Sequence, residues 1–414
     1  MSTPVWDPVD EAEIELKAAF TGLNDAATKA IIQGLEDTPN RFVLHTRGYY
    51  DLRAYVLTGK DFPRTTAEFQ GKMPKSAFSK LTAIDPEIYN KTQDTLVNIG
   101  SSCFSYHKND LAKLVLAATA AVQYSDNAIM LMEGIDELSL GYQIKILLDP
   151  KYVNVADQDQ KFKDAREGAQ MTLQMLKEEA ESKEAEVKEV LQSLVAFKET
   201  TMAYLQDVQF LNKQYNTGPV TNPKNMTTPY LQYLDAQVAA DIKALNETMT
   251  EAQNTHSEWY KARATAIGTA FAGVFGWIAM GIYAKRAADL ESKLNSLKAR
   301  MATLVQQWQE GATLITYVTQ LTKQCDDIDD KMEVAIKAMA ELAALFNEQA
   351  NCYDKIAFNL KNLSTGTGTN SARNRQAWIT MFMGNAVTKL KELKGLAGEF
   401  AEGIIRNYDL TTTT

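Results

Sequence analysis

Disulfide and metal chemistry are the first things this sequence lacks. Its 414 residues include three cysteines, Cys103, Cys325 and Cys352, an odd number without a CxxC spacing. Neither a disulfide framework nor a zinc site follows from that pattern. Histidine is as scarce, and His45, His107 and His256 share no ligand spacing with acids or cysteines. HExxH, GxSxG and a Walker loop are missing. The nearest glycine-rich run, Gly366-Thr367-Gly368, has no lysine after it and no strand-like stretch before it, so it reads as a hinge loop. Asp326, Asp327, Asp329 and Asp330 cluster but would point several ways on a helix. They read as a solvated turn, with a weak divalent-cation site as the alternative. No catalytic residue, cofactor or metal is expected, and the chain is not read as an enzyme.

Helix breakers are also few. Ten prolines and 21 glycines fall below average usage, while Ala, Leu, Lys, Glu and Gln are plentiful, which favours a mostly helical protein. The net charge is −9 and no basic block stands out, so nucleic acid is not an expected partner. The opening MSTPVWDPVDEAEIE is acidic and has no positive stretch followed by an apolar core. Export without a Sec signal peptide is the corresponding expectation.

Long apolar runs are absent with one exception, and the chain is organised around it. Ala264 to Ala284, ATAIGTAFAGVFGWIAMGIYA, carries no charge over 21 residues and is flanked by Lys261, Arg263, Lys285 and Arg286. A helix needs about 20 residues to cross a bilayer core. At 100° per residue, Ile267, Phe271, Val274, Phe275, Ile278 and Ile282 fall on one face, with Trp277 beside them. Gly268, Ala272, Gly276 and Ala279 fall opposite, with Thr265 and Thr269. The bulky face suits lipid, and the small one lets another backbone approach closely. Each bulky residue favours insertion by about 0.3 to 0.6 kcal/mol, and the glycines and threonines offset part of that. The total suits a segment that stays in water until insertion is triggered. The alternative is a buried core helix or a short hairpin bent at Gly273 and Gly276.

The rest of the chain predicts helices at 10–37, 42–57, 87–148, 158–215, 230–263 and 376–408, and one from the apolar stretch to about 363. Two of these carry heptads. In the first, Val187, Leu194, Thr201, Val208 and Tyr215 alternate with Val190, Phe197, Tyr204 and Leu211. In the second, Leu294, Met301, Trp308 and Ile315 alternate with Leu290, Leu297, Leu304, Val318 and Cys325. The expected core of an antiparallel stalk is thus Val187, Val190, Leu194, Phe197 and Tyr204 against Leu290, Leu294, Leu297, Met301, Leu304 and Trp308. At 1.5 Å per residue, 30–40 residues would span roughly 45–60 Å. Between the two lies TGPVTNPKNMTTP, too rich in Pro, Asn and Thr for a helix. The expected architecture is all-α: an elongated helical-bundle tail (1–175 and 326–414), a coiled-coil stalk (176–216 and 285–325) and a hydrophobic head (217–284).

A bundle split by a coiled-coil hairpin, with an apolar head before the returning helix, resembles the cytolysin A superfamily of α-helical pore-forming toxins. With the run GTAFAGVFGWIAMGIYAKR, Gly268 to Arg286, it is similar to the A component of alpha-xenorhabdolysin-type binary toxins. That resemblance implies a soluble monomer that meets a target-cell membrane and a B-component toxin protein, then assembles with it into a ring-shaped hetero-oligomeric pore. It further implies that the A component activates and steadies B, which supplies most of the conduit. The residues agree independently, because the span has no charged stripe to line a water-filled pore. Two other classes stay open: a coiled-coil adaptor with a buried apolar helix, and a secretion-system translocator or single-pass membrane protein.

Overall fold

The computed structural model describes residues 6–34 except 9, 39–78 except 74, 82, 85–134, 137–152, 159–217, 219–221, 227–229, 328–362 and 369–412, with isolated positions 250, 251, 254, 292, 293, 296 and 325. These residues form an all-α bundle. Its helices are α1 (Glu11–Lys29), α2 (Arg47–Gly59), α3 (Thr66–Lys72), α4 (Ile88–Asn109), α5 (Leu111–Glu133), α6 (Leu140–Leu147), α7 (Gln160–Thr217), α8 (Ile328–Asn362) and α9 (Thr369–Thr412). Two antiparallel two-residue strands, Ile31–Ile32 and Arg41–Phe42, close the turn after α1.

Several ends are set by single side chains. Asp10 accepts from the Glu13 amide at 2.8 Å and starts α1, supplying one of the acceptors that a helix N-terminus lacks. Ser139 caps α6 in the same way. At α3, Thr65 accepts from the Glu68 amide while Glu68 accepts from the Arg64 amide. The helix expected over 10–37 stops at Lys29, because the chain pairs Ile31 with Phe42 instead. That pairing also delays α2, which begins at Arg47 behind a Thr46 cap. The single helix expected over 87–148 is three, broken at Asp110 and around Gly134. The loop expected at 217–229 contains a short hairpin, Pro219–Thr221 against Thr227–Pro229.

Five long helices make a closed ring in which α7 touches α8, α8 touches α1, α1 touches α9, α9 touches α5, and α5 returns to α7. Polar pairs along the seams give the directions. Lys177 meets Asp354 at 2.7 Å and Lys198 meets Asp329 at 2.9 Å, so α7 and α8 are antiparallel. Lys29–Glu348 and Lys355–Glu15 place α1 antiparallel to α8. Such exposed pairs are worth about 0–1 kcal/mol each, so they report register more than they create it. Stability comes from the ring's interior, where Leu16, Phe20, Leu23, Leu173, Leu176, Met339, Phe346, Leu393 and Leu396 are fully buried. Phe346 packs edge-on to Tyr124 at 5.2 Å.

Two polar devices cross this core. Tyr124 donates to Gln349 Oε1 at 3.0 Å and lies 2.9 Å from the Tyr353 hydroxyl, while Gln349 Nε2 donates to the Leu23 carbonyl at 2.7 Å. Burial pushes the Tyr124 and Tyr353 phenols above their ordinary range, so both stay neutral donors. Where α1 and α9 begin, Arg375 Nη1 meets Glu13 Oε1 at 2.7 Å, with side chains 4% and 0% exposed. Beside that pair the Trp6 indole is buried against Trp378 at 5.6 Å, and Lys17 Nζ donates to the Trp6 carbonyl at 2.7 Å.

Removing one partner of a buried ion pair leaves an uncompensated charge and costs about 3–5 kcal/mol. Arg375→Ala is therefore expected to lower the urea midpoint markedly. The double variant Glu13→Leu, Arg375→Leu should recover most of that loss. A double variant no better than the single one would show that the pair supplies more than charge balance.

Candidate functional site

The expected functional segment lies outside the described residues. This holds for Ile267, Phe271, Val274, Phe275, Trp277, Ile278 and Ile282, for Gly268, Ala272, Gly276 and Ala279, and for the returning heptad residues Leu290, Leu294, Leu297, Met301, Leu304 and Trp308. What the structure describes is the bundle formed by the parts of the chain before and after it.

On the outgoing helix Val187, Val190, Leu194 and Phe197 are buried and Tyr204 is partly so. Their described surroundings are more than one helix. Phe197 stacks on Tyr106 of α4 at 4.0 Å and 20°, with Tyr55 of α2 at 6.2 Å. Further along, Lys91 of α4 sits over the Phe210 ring at 4.3 Å. The heptad face of α7 thus serves the bundle core, against α4 and α8, at least as far as Phe197.

At the point of return, α2, α4 and α7 converge on Cys325. Tyr55, Cys103, Thr201 and Cys325 are all buried there. α2 approaches α4 closely because it ends in Gly59, where a Cβ would fall 2.4 Å from Cys103 Sγ. Lys198 reaches both Asp329 and Glu333, tying α7 to the first turns of α8. Beyond Lys198, α7 continues to Thr217. Asp329 and Glu333 thus hold an ammonium from α7, and Asp326 and Asp327 lie outside the described residues. Among the described residues, no group of three or more His, Cys, Asp or Glu could hold a metal ion.

Two of the thiols are set by burial. Burial pushes the Cys103 thiol up to about 12 and the Cys352 thiol up to about 11. The thiolate is the reactive form, and both groups stay protonated near neutrality. Burial also raises the Tyr55 and Tyr106 phenols. One described span, 88–133, is long and apolar enough to cross a membrane, but 44% of its most apolar window is buried inside the bundle. Leu96, Ile99, Ala117 and Tyr124 on that span are core residues.

No protein-family model matches the chain, and no curated protein matches it either. Similar solved structures do exist. The HblL1 toxin component of Bacillus cereus is 11% identical over 92% of this chain and 96% of its own, with a TM-score of 0.47. Soluble SmhA of the tripartite α-pore-forming toxin Smh from Serratia marcescens is 14% identical over 95% of this chain and 96% of its own, at 0.45. The AhlB pore of the tripartite α-pore-forming toxin AHL from Aeromonas hydrophila is 11% identical over 92% and 97%, at 0.40.

Sequence reasoning missed the Glu13–Arg375 pair, whose members stand 362 residues apart. It also missed the convergence of Tyr55, Cys103 and Cys325. The one available signal was that Cys325 occupies a heptad core position.

Two outcomes follow. Phe197→Ala removes a stacked, 6% exposed ring and is expected to cost about 3–5 kcal/mol, measured by chemical denaturation. For the thiols, at pH 8 about one Cys352 in a thousand and one Cys103 in ten thousand is ionised, from values of about 11 and about 12. Titration with Ellman's reagent should give rapid reaction of all three cysteines in urea, while Cys103 and Cys352 react slowly in the native protein.

Proposed function

We propose that this protein is a component of a multi-component α-helical pore-forming toxin. In this reading it is an A-type subunit that engages a target-cell membrane and assembles there with a B-type partner. The observation that carries the reading is the 21-residue uncharged segment 264–284, set into a chain whose flanking parts build a water-facing helical bundle. The described part supports the reading with a large buried core and with the Lys198–Asp329 contact that fastens α7 to the start of α8.

The energetics fit conditional insertion. Six bulky residues favour insertion by roughly 2 to 4 kcal/mol in total, before the glycines and threonines are counted. A permanent anchor would be more apolar. Gly268, Ala272, Gly276 and Ala279 form a face for a neighbouring helix, and no charged stripe is present to face water in a channel. The segment therefore suits a subunit that embeds and supports a partner better than one that lines the conduit alone.

Phe275→Asp places a charge on the lipid face at mid-helix, which costs about 2.5–3.5 kcal/mol. It cancels the favourable sum. The variant is expected to stay folded by circular dichroism, to lose sedimentation with liposomes, and to lose dye release in the presence of a partner component. Gly276→Leu should still sediment with liposomes yet assemble poorly. Full membrane binding and lysis by folded Phe275→Asp would show that 264–284 is not the inserting element.

A further inference from the structure

The described methionines divide into two groups. Met73, Met132, Met332, Met339 and Met383 are buried, as is usual for this residue type. Met130, Met171 and Met175 are each more than half exposed, and all three stand at one seam. There α5 and α7 run antiparallel, with Asn127 Nδ2 donating to Glu179 Oε1 at 2.6 Å and Lys183 Nζ to Gln123 Oε1 at 3.1 Å. One turn on from the Asn127–Glu179 contact come Met130 on α5 and Met175 on α7. Met171 lies a further turn along, on the same side of α7 as Met175. Leu138 completes the patch. Thr172 Oγ1 donates to its carbonyl at 3.3 Å, and its side chain, 78% exposed, is the barest large apolar group among the described residues. Met171 stands roughly 40 Å along α7 from Lys198, at the opposite end from Cys325.

Single exposed apolar side chains are ordinary, whereas a cluster of them rimmed by charge marks an interaction surface. The rim here is acidic. Glu137 precedes Leu138, Glu167 stands one turn before Met171, and Glu178 follows Met175 by one turn. All three are exposed, and among the described residues none has an ion-pair partner. Glu178 accepts from Gln174 at 2.7 Å, while its neighbour Lys177 is held by Asp354 of α8 at 2.7 Å. Charge selects the occupant. A second copy would set these carboxylates against their like, and anionic lipid would be repelled. A helix with an apolar stripe between lysines or arginines complements both features, and unbranched methionine side chains adapt to such a stripe.

We propose that Met130, Leu138, Met171 and Met175 form a docking surface for a basic amphipathic helix of a partner protein. The apolar stripe of that helix lies on the methionines, and its cations reach Glu137, Glu167 and Glu178. The proposal is independent of the pore-forming reading, since none of these residues belongs to 264–284 and its test needs neither insertion nor lysis.

The probe is a synthetic peptide of about 18 residues, made of leucine and lysine with the leucines at helical spacing, titrated calorimetrically into the full chain. The control has glutamate in place of every lysine. The leucine–lysine peptide should bind one equivalent and the control should not bind. The double variant Met171→Gln, Met175→Gln should weaken binding at least about tenfold, with an unchanged melting temperature because both side chains are exposed. Glu167→Gln with Glu178→Gln should weaken it about three- to tenfold and reduce its salt dependence. In wild type labelled with ¹³C-methyl methionine, the peptide should shift the signals of Met130, Met171 and Met175 and leave that of buried Met339 in place. The proposal is overturned by equal binding of the two peptides, by unchanged affinity in the methionine variant, or by unmoved Met171 and Met175 signals. It is also overturned if the methionine variant abolishes self-association, which assigns the patch to a second copy, or sedimentation with phosphatidylcholine vesicles, which assigns it to lipid.

Discussion

The antiparallel packing of α7 on α8 is the contact on which the rest of the molecule depends. It is the broadest interface in the bundle, and it joins the outgoing and returning ends of everything between 217 and 325. Lys177–Asp354 and Lys198–Asp329 mark its length, and the Lys198–Glu333 contact ties its upper turns. Lys198 of α7 stands beside Asp329 at the start of α8, and α7 continues past that point to Thr217.

The bundle's general character was legible because helix signals are cumulative. A run of nearly sixty residues with one glycine and no proline, Gln160 to Thr217, announces α7 through composition and period together. The breaks were less legible, because each depends on one local event. Asp110 interrupts an otherwise unbroken helical pattern, and its amide still reaches the Tyr106 carbonyl. Ile31–Ile32 and Arg41–Phe42 are too short to show a strand period, and only their pairing makes them strands.

Heptads show a different limit. The repeat at Val187, Val190, Leu194 and Phe197 states that one face of α7 is apolar, and these residues are indeed buried. It does not state how many helices share that face. Tyr106 and Tyr55 take up Phe197 from two further helices, information that resides in α2 and α4 and not in the repeat. The apolar segment was the easiest feature to find and falls outside the described residues.

Apolar stripes alone would leave the ring free to slide, since a shift of seven residues, about 10.5 Å, puts one stripe on another of the same kind. The buried polar groups remove that freedom. Gln349 must face both the Leu23 carbonyl and the Tyr124 hydroxyl, and Tyr353 must face Tyr124. Any slipped register of α8 against α1 or α5 buries these groups without partners, at about 1–3 kcal/mol for each. The Glu13–Arg375 pair sets α9 against α1 on the same principle, with a larger penalty because the groups are charged. Their net contribution to stability is small compared with that of the leucines and phenylalanines around them. What they fix is a single alignment of α1, α5, α8 and α9, and through α8 the height at which Cys325 meets Tyr55 and Cys103. The height at which Cys325 enters the bundle is therefore set by polar contacts at the bundle's centre, several helical turns away.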